Sequence, residues 1–492
     1  MADYKHGAYG LIQTAGSRVA DDSQSVIVYV GTAPVQSLDN FSGSVNKPIV
    51  VHNMAEARKY FGYSDDWAKY TLCEAMHVHF ELKGVGALVL INVLDPGTHR
   101  ASEKTTLSAT PSNGVVIVSE AEEAILSSVT VKSGNTSKVK GIDYSLTYDG
   151  RKRQIIIREL TSGALGSTAL TIEYYAVTPE AVTSTTVIGT TDGYGTNTGL
   201  YAIKDVYQLT GCVPAYLGAP GWSSIPAVHT AMYQISQKVN GHWDAYMFAD
   251  LPLMNGNTAL TLASAASFKE GNGYNNGNET VFFPMVEGTD GKNYHLSVLA
   301  AANFLELLLE YDGIPYHTSS NTECSIIKNL HLGAGTVIAD DEMINNALNK
   351  NGIASAAYVG GRWAIWGAHS ADYNPNNGDT VNVSETNRMM LYYVSNDFQH
   401  RRMADVDRPM TANDLRTIAA EEQARLDALM KIGALTYGEV SLNAELMDRA
   451  DIMNGDFSFS FQVTTTPLAK SLTAVVNWTE QGFVTYYESF VN

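Results

Sequence analysis

The stretch Asn454-Gly455-Asp456-Phe457-Ser458-Phe459-Ser460-Phe461-Gln462-Val463 decides how this chain is read. Behind the Asn-Gly-Asp turn, Phe457, Phe459, Phe461 and Val463 alternate with Ser458, Ser460 and Gln462, the period-2 pattern of a strand with one buried face. A second run follows the break at Thr464-Thr465-Thr466-Pro467. There Leu472, Ala474, Val476 and Trp478 alternate with Thr473, Val475 and Asn477, and the chain closes on Phe483, Tyr486, Tyr487 and Phe490. Nothing nearby reads as a partner for either strand. An apolar, proline-poor strand near a chain end invites unwanted pairing unless its edge is covered. The pattern therefore predicts a subunit that lends strands to its neighbours.

Moving inward, two amphipathic helices are expected over 385–403 and 413–431. The second places Leu415, Ile418, Ala419, Leu426 and Leu429 on one stripe and stops at Gly433. Before them, 353–359 and 362–366 around Gly360-Gly361 read as a hairpin. Farther upstream, a buried strand over 26–30, a helix over 67–82 and a buried strand over 87–94 form a strand-helix-strand unit, the signature of a parallel α/β layer. The layer resumes with a strand over 212–217, a helix over 224–239 with Ser224 as its cap, a strand over 245–249 and a helix over 295–311. Between the two halves, short alternating strands at 114–119, 128–132, 144–148, 154–158 and 169–176 predict an inserted β-sandwich. The first 20 residues, with Tyr4 and Tyr9, have the composition of an extended arm.

Length and composition narrow the function. A chain of 492 residues implies several domains. Its net charge of −19 argues against a nucleic-acid surface. Cys73, Cys212 and Cys324 are scattered in apolar surroundings with neither disulfide nor zinc spacing, as in a protein of a reducing compartment. The start has no apolar leader core, and the apolar run 87–94 is too short to span a bilayer, so synthesis in a cytoplasm and no membrane insertion are expected.

Chemical motifs are weak. The α/β layer makes a serine hydrolase the first alternative, and Gly221-Trp222-Ser223-Ser224-Ile225 comes nearest to a nucleophile elbow, but it lacks the closing glycine. Cys73 and His77 lie one helical turn apart without further ligands. The loop 189–199 is glycine-rich but lacks the Lys-Ser/Thr of a phosphate loop. No catalytic group, metal or cofactor is expected. The basic run His400-Arg401-Arg402, together with Arg416 and Arg425, suits an electrostatic contact with a carboxylate-rich neighbour. A capsid or decoration protein is the second alternative.

Several segments together resemble the sheath proteins of contractile phage tails and tail-like bacteriocins. Tyr4-Lys5-His6-Gly7-Ala8-Tyr9 is similar to the family's N-terminal arm, and Val30-Gly31-Thr32-Ala33-Pro34 to its first strand and turn. Phe61-Gly62 with the helix and strand through residue 94 matches a further family segment, as does 213–221 with Ala219-Pro220-Gly221. At the C-terminal end, 352–368 resembles the hairpin closing on Trp366-Gly367-Ala368. Ala434-Leu435-Thr436-Tyr437-Gly438 resembles a small turn after the long helix, and 457–467 the Phe-rich strand with its Thr-Pro exit. The chain departs from the family in lacking the Pro-Pro-Ser and arginine-containing motif within 282–325, and in its longer extension past Trp478.

The resemblance implies an α/β plus α+β multidomain protein. Residues 1–20 form an arm, 21–97 and 181–352 a subtilisin-like α/β domain without a catalytic triad, 98–180 the inserted sandwich, 353–454 a C-terminal α+β domain and 455–492 a strand arm. It implies homo-hexameric rings in a helical polymer, made in a bacterial host cytoplasm and assembled into a virion tail or tail-like particle. The implied partners are an inner tail tube, baseplate and tail terminator proteins. Tyr4, Tyr9, Phe457, Phe459, Phe461, Val463, Leu472, Val476 and Trp478 are the expected inter-subunit strand residues.

Overall fold

An eight-stranded sheet runs through the centre of the molecule in a computed structural model that describes residues 18–19, 25–376, 381–443 and 447–491. Tyr4 and Tyr9 lie outside these residues. The strands of the sheet are β1 (Ser25–Gly31), β2 (Ile49–Val51), β3 (Leu88–Asn92), β4 (Val213–Gly218), β5 (Tyr246–Asp250), β6 (Glu279–Phe282), β7 (Ile353–Val359) and β8 (Arg362–Trp366). Their order is β8-β7-β6-β5-β4-β1-β3-β2, parallel through the middle and antiparallel at both edges. Parallel strands are covered on both faces, which makes them continuous apolar runs rather than alternating ones. Residues 26–30 of β1 and 88–92 of β3 are accordingly all buried.

Helices cover the sheet. α1 (Leu72–Met76) continues as a π-helical segment to Lys83, α2 is Pro226–Ser236, and α3 is Leu296–Glu310, whose first turns are buried on every side. The helix expected from 67 begins only at Leu72. Ser224 does not cap α2. Ile225 holds the N-cap position without a side-chain bond, while the Ser224 hydroxyl donates to the Gly221 carbonyl. The glycine-rich stretch has a packing role: a Cβ on Gly189 would lie 1.9 Å from the Thr198 carbonyl oxygen, so the chain crosses itself too closely for a side chain.

Between β3 and β4 lie two small antiparallel sheets. One orders Tyr144–Asp149, Gln154–Glu159 and Val115–Val118; the other orders Thr105–Ala109, Leu170–Tyr174, Thr130–Ser133 and Thr136–Lys138. Val116, Leu146, Ile155, Ile157, Leu170 and Ile172 close a hydrophobic cluster separate from that of the main sheet.

The C-terminal part pairs α4 (Glu385–Arg402) with α5 (Ala412–Lys431), followed by β9 (Leu435–Leu442), β10 (Phe459–Thr465) and α6 (Gln481–Val491). Adjacent residues of α4 serve two cores: Met389 packs into the main cluster and Met390 into a small one with Leu426, Leu429 and Leu435. The side chain of Asn396 clamps α4 to the main domain, accepting from the Asp244 N–H at 2.9 Å and donating to its carbonyl at 2.8 Å.

Four expectations change here. Residues 434–438 open a strand rather than a small turn, and that strand is the missing partner: β9 and β10 pair antiparallel, with Gly438 opposite Val463 and Val440 opposite Phe461. Phe457 precedes β10 instead of belonging to it. The run 472–478 forms no strand, because alternation creates one only where a partner supplies hydrogen bonds. The closing aromatics form the helix α6.

Candidate assembly surfaces

The β9–β10 ribbon stands apart from the main sheet, and its two edges differ. α5 approaches β9 so closely that a Cβ on Gly438 would sit 2.9 Å from the Leu426 Cβ. At this crossing the Gln423 amide donates to the Gly438 carbonyl at 3.0 Å, and its oxygen accepts from the Val440 N–H at 2.8 Å. One side chain thus takes the place of a strand along that stretch of β9. In an antiparallel ladder, residues alternate between facing the partner and facing away. Since Gly438 and Val440 face away from β10, their opposite numbers Val463 and Phe461 turn their main-chain groups to the outer edge of β10. No strand lies on that edge among the described residues.

The side chains of β10 are already used. Phe459 and Phe461 pack on Phe398 of α4 with ring centroids 5.8 and 5.3 Å apart, and Val463 joins Phe461 against the small core. These residues therefore do not wait for another chain to bury their side chains. What they leave open is a row of main-chain donors and acceptors. Leu472, Val476 and Trp478 are different: they are 90, 90 and 80% exposed, with no regular structure.

The arginines expected to face a partner are mostly engaged at home. Glu422 of α5, with its side chain buried, accepts from Arg401 at 2.5 and 2.7 Å and from Arg402 at 2.5 and 2.8 Å. Asp397 takes Arg401 at 3.0 Å and Arg425 at 2.7 Å, and Arg402 also reaches Glu421 at 2.7 Å. Burial works to raise the Glu422 carboxyl, but the two guanidinium groups outweigh it and hold the carboxyl below its usual range. The network ties α4 to α5. Of these four arginines, Arg416 alone is exposed and makes no ion pair among the described residues.

Where a hydrolase would need its centre, the polar groups serve packing. Ser223 is fully buried; its Oγ accepts from the Asp250 N–H at 3.1 Å and its carbonyl from the Tyr274 hydroxyl at 3.0 Å. His229 meets Glu279 at 2.5 Å and stacks on Tyr274. At the start of α3, two carboxylates engage the helix N-terminus, a favourable place for negative charge. Glu74 accepts from the His295 N–H and meets its ring, both at 2.6 Å, while Asp250 accepts from the Ser297 N–H at 3.1 Å and its hydroxyl at 2.5 Å. Burial disfavours the charged imidazole, but Glu74 and Asp250 hold it up to about 9. Burial pushes the Cys73 thiol up to about 12, and His77 turns to Glu81 at 2.8 Å, so the two are not joint ligands. Among the described residues no His/Cys/Asp/Glu cluster could hold a metal ion, and no helix is long and apolar enough to cross a membrane.

Sequence reading missed Gln423, Gly438 and the helical nature of the last residues. For the last, a signal was present: Phe483, Tyr486, Tyr487 and Phe490 fall at i, i+3, i+4 and i+7.

No family model matches the chain. It is 24% identical over 510 residues to the tail sheath protein of Burkholderia phage BcepMu, covering 98% of both chains. Its fold is similar to that of the helical sheath of the anti-feeding prophage in the contracted state, with a TM-score of 0.54, 13% identity and coverage of 96% of this chain and 99% of that one. A sheath complex of an extracellular contractile injection system, also contracted, gives a TM-score of 0.54 at 12% identity over 98% of each chain.

Proposed function

We propose that this chain, which resembles the contractile tail sheath proteins from end to end, is the structural subunit of such a sheath. Copies polymerise as stacked hexameric rings around an inner tail tube and contract to drive the tube through a target cell envelope. The observation that carries this reading is the match to the BcepMu tail sheath protein over 98% of both chains. The relatives are structural proteins, and the chain is a building block rather than an enzyme. The mixed α/β fold supports the finer reading of a subtilisin-like domain at 21–97 and 181–352, interrupted by a sandwich at 98–180. The hairpin 353–366, however, pairs with Glu279–Phe282 and belongs to the same sheet, so the α+β domain expected over 353–454 is proposed to begin only after Trp366. The baseplate, tail terminator and tube are the proposed partners, and the site of action is a virion tail or tail-like particle assembled in a bacterial host.

The outer edge of β10 is the proposed acceptor for a strand from another copy, supplied by the arm around Tyr4 and Tyr9 or by 472–478 with Leu472, Val476 and Trp478. Strand addition draws affinity from main-chain hydrogen bonds and register from alternate side chains. At a net ~0.5–1.5 kcal/mol per hydrogen bond, four or five bonds give a joint of a few kcal/mol. Such a joint holds while the bodies on either side rotate. Contraction then releases interface free energy stored at assembly, without a nucleotide.

Negative-stain microscopy of two purified chains tests this. The full chain is expected to form rings and tubes, whereas a chain ending at Thr466, which keeps β10, stays monomeric with an unchanged melting temperature. Ordinary tubes from the shortened chain would refute a role for the tail in assembly.

A further inference from the structure

Past the strand arm the chain carries something strand addition does not need. In α6, Phe483, Tyr486, Tyr487 and Phe490 lie on one stripe and are 61, 62, 69 and 70% exposed. An aromatic stripe left in water on a short helix marks a surface made to be covered. Spacing of i, i+3, i+4 and i+7 is how an amphipathic helix presents anchors to a groove.

The chemistry of the tail limits what covers it. No lysine or arginine follows Lys470, while Glu480 and Glu488 are acidic. That disfavours phosphate backbones and anionic lipid surfaces, both of which are bound through basic residues. A protein groove with an apolar floor and a mixed polar rim fits instead.

This molecule offers one. Between α3 and α4 lies a cavity of about 270 Å³ whose lining includes Leu305, Leu308, Leu309 and Tyr393. A second cavity of about 180 Å³ shares Tyr393, Asp397 and Arg425 with it and reaches Ile314, Leu429 and Phe461, beside the core face of β10. Asp312, Asp397, His400 and Arg425 supply acceptors and donors for the two tyrosine hydroxyls and Glu488, and a tyrosine hydroxyl usually finds a partner when buried. The groove is continuous with the ribbon proposed to receive a strand. α6 follows that ribbon in sequence after a tail that, from Leu472 to Trp478, is almost wholly exposed.

We propose that α6 docks by its aromatic stripe into the α3–α4 groove of a second copy of this chain, as a helical anchor additional to the strand joint. The inference rests on the sheath reading. Its role is to fasten a neighbour where strand addition alone depends on main-chain bonds.

The test keeps the two apart. The full chain with a photoreactive benzoylphenylalanine in place of Tyr487 is assembled as a mixture of isotopically light and heavy copies and illuminated. Light–heavy crosslinks from position 487 to residues 305–314 or 393–400 are expected; crosslinks within one copy, or to other surfaces, overturn the proposal. In parallel, a chain ending at Glu480 keeps every strand residue. It should still form tubes, but at a subunit concentration roughly tenfold higher, since buried aromatic anchors carry much of the energy of an interface. Unchanged assembly by that chain overturns the anchor and leaves the sheath reading intact. Failure of the unmodified chain to form any tube fails the sheath reading itself.

Discussion

The main sheet and the β9–β10 ribbon solve the problem of the open strand in opposite ways. The main sheet ends on short antiparallel strands, Ile49–Val51 on one side and Arg362–Trp366 on the other, which blunt its edges. Asp250, buried at its centre, is satisfied within the fold: its N–H donates to the Ser223 Oγ and its carboxylate accepts from Ser297. The ribbon has only two strands, too few for independent stability. It rests on α4 and α5, has one edge partly filled by Gln423, and carries no strand on the other among the described residues. The first region is complete in one copy. The second is the one proposed to be completed by another copy.

The largest effect that sharpens this contrast belongs to the main sheet. Phe248, buried in β5 among Tyr246, Phe282 and Phe304, should cost about 3–5 kcal/mol when replaced in Phe248→Ala, from lost burial plus a cavity. Urea denaturation reads the loss.

The α4–α5 pair on which the ribbon rests comes next. Glu422→Gln leaves Arg401 and Arg402 facing a neutral amide, and with both arginines partly exposed the expected cost is about 2 kcal/mol. Because the Glu422 carboxyl lies below its unfolded value, its contribution is present above that value and is lost as the pH falls through the folded one. The α4–α5 pair should therefore loosen on acidification below about pH 4, and the substitution should flatten that acid limb in a circular-dichroism titration.

On the alkaline side the sign reverses. The His295 imidazole is raised to about 9, so its pairing with Glu74 contributes fully below its unfolded value near 6.5 and is lost as the pH climbs through 9. Linkage over that shift sets the decline across the window at up to about 3 kcal/mol, and His295→Gln should remove the slope.

The smallest expected change in stability carries the largest change in assembly. Val463 turns its N–H to the bare edge of β10, where proline is tolerated because no ladder bond is lost. Val463→Pro should shift the monomer's melting by the equivalent of about 1 kcal/mol or less while abolishing tubes. Normal tubes from this variant would erase the distinction between the two regions.

What was legible in the sequence follows the same divide. The central strands announce themselves as unbroken apolar runs, and the hairpin Ile353–Val359 with Arg362–Trp366 is marked by Gly360-Gly361. β9 was hidden because Gly438 and Glu439 interrupt its alternation, and Gly438 is needed only because Leu426 presses against it. The residues of α6 look like a strand by composition, being aromatic and β-branched, but their helical spacing outweighs that weak preference. Arg401 and Arg402 read as surface charge because Glu422, the carboxylate that holds them, sits on another helix about twenty residues away and meets them only in the fold.

A reconstruction of assembled tubes tests the central claim most directly. A main-chain strand from another copy, lying along the outer edge of Phe459–Thr465 and bonded at Phe461 and Val463, is the expected result. An assembled tube in which that edge stays bare contradicts the account.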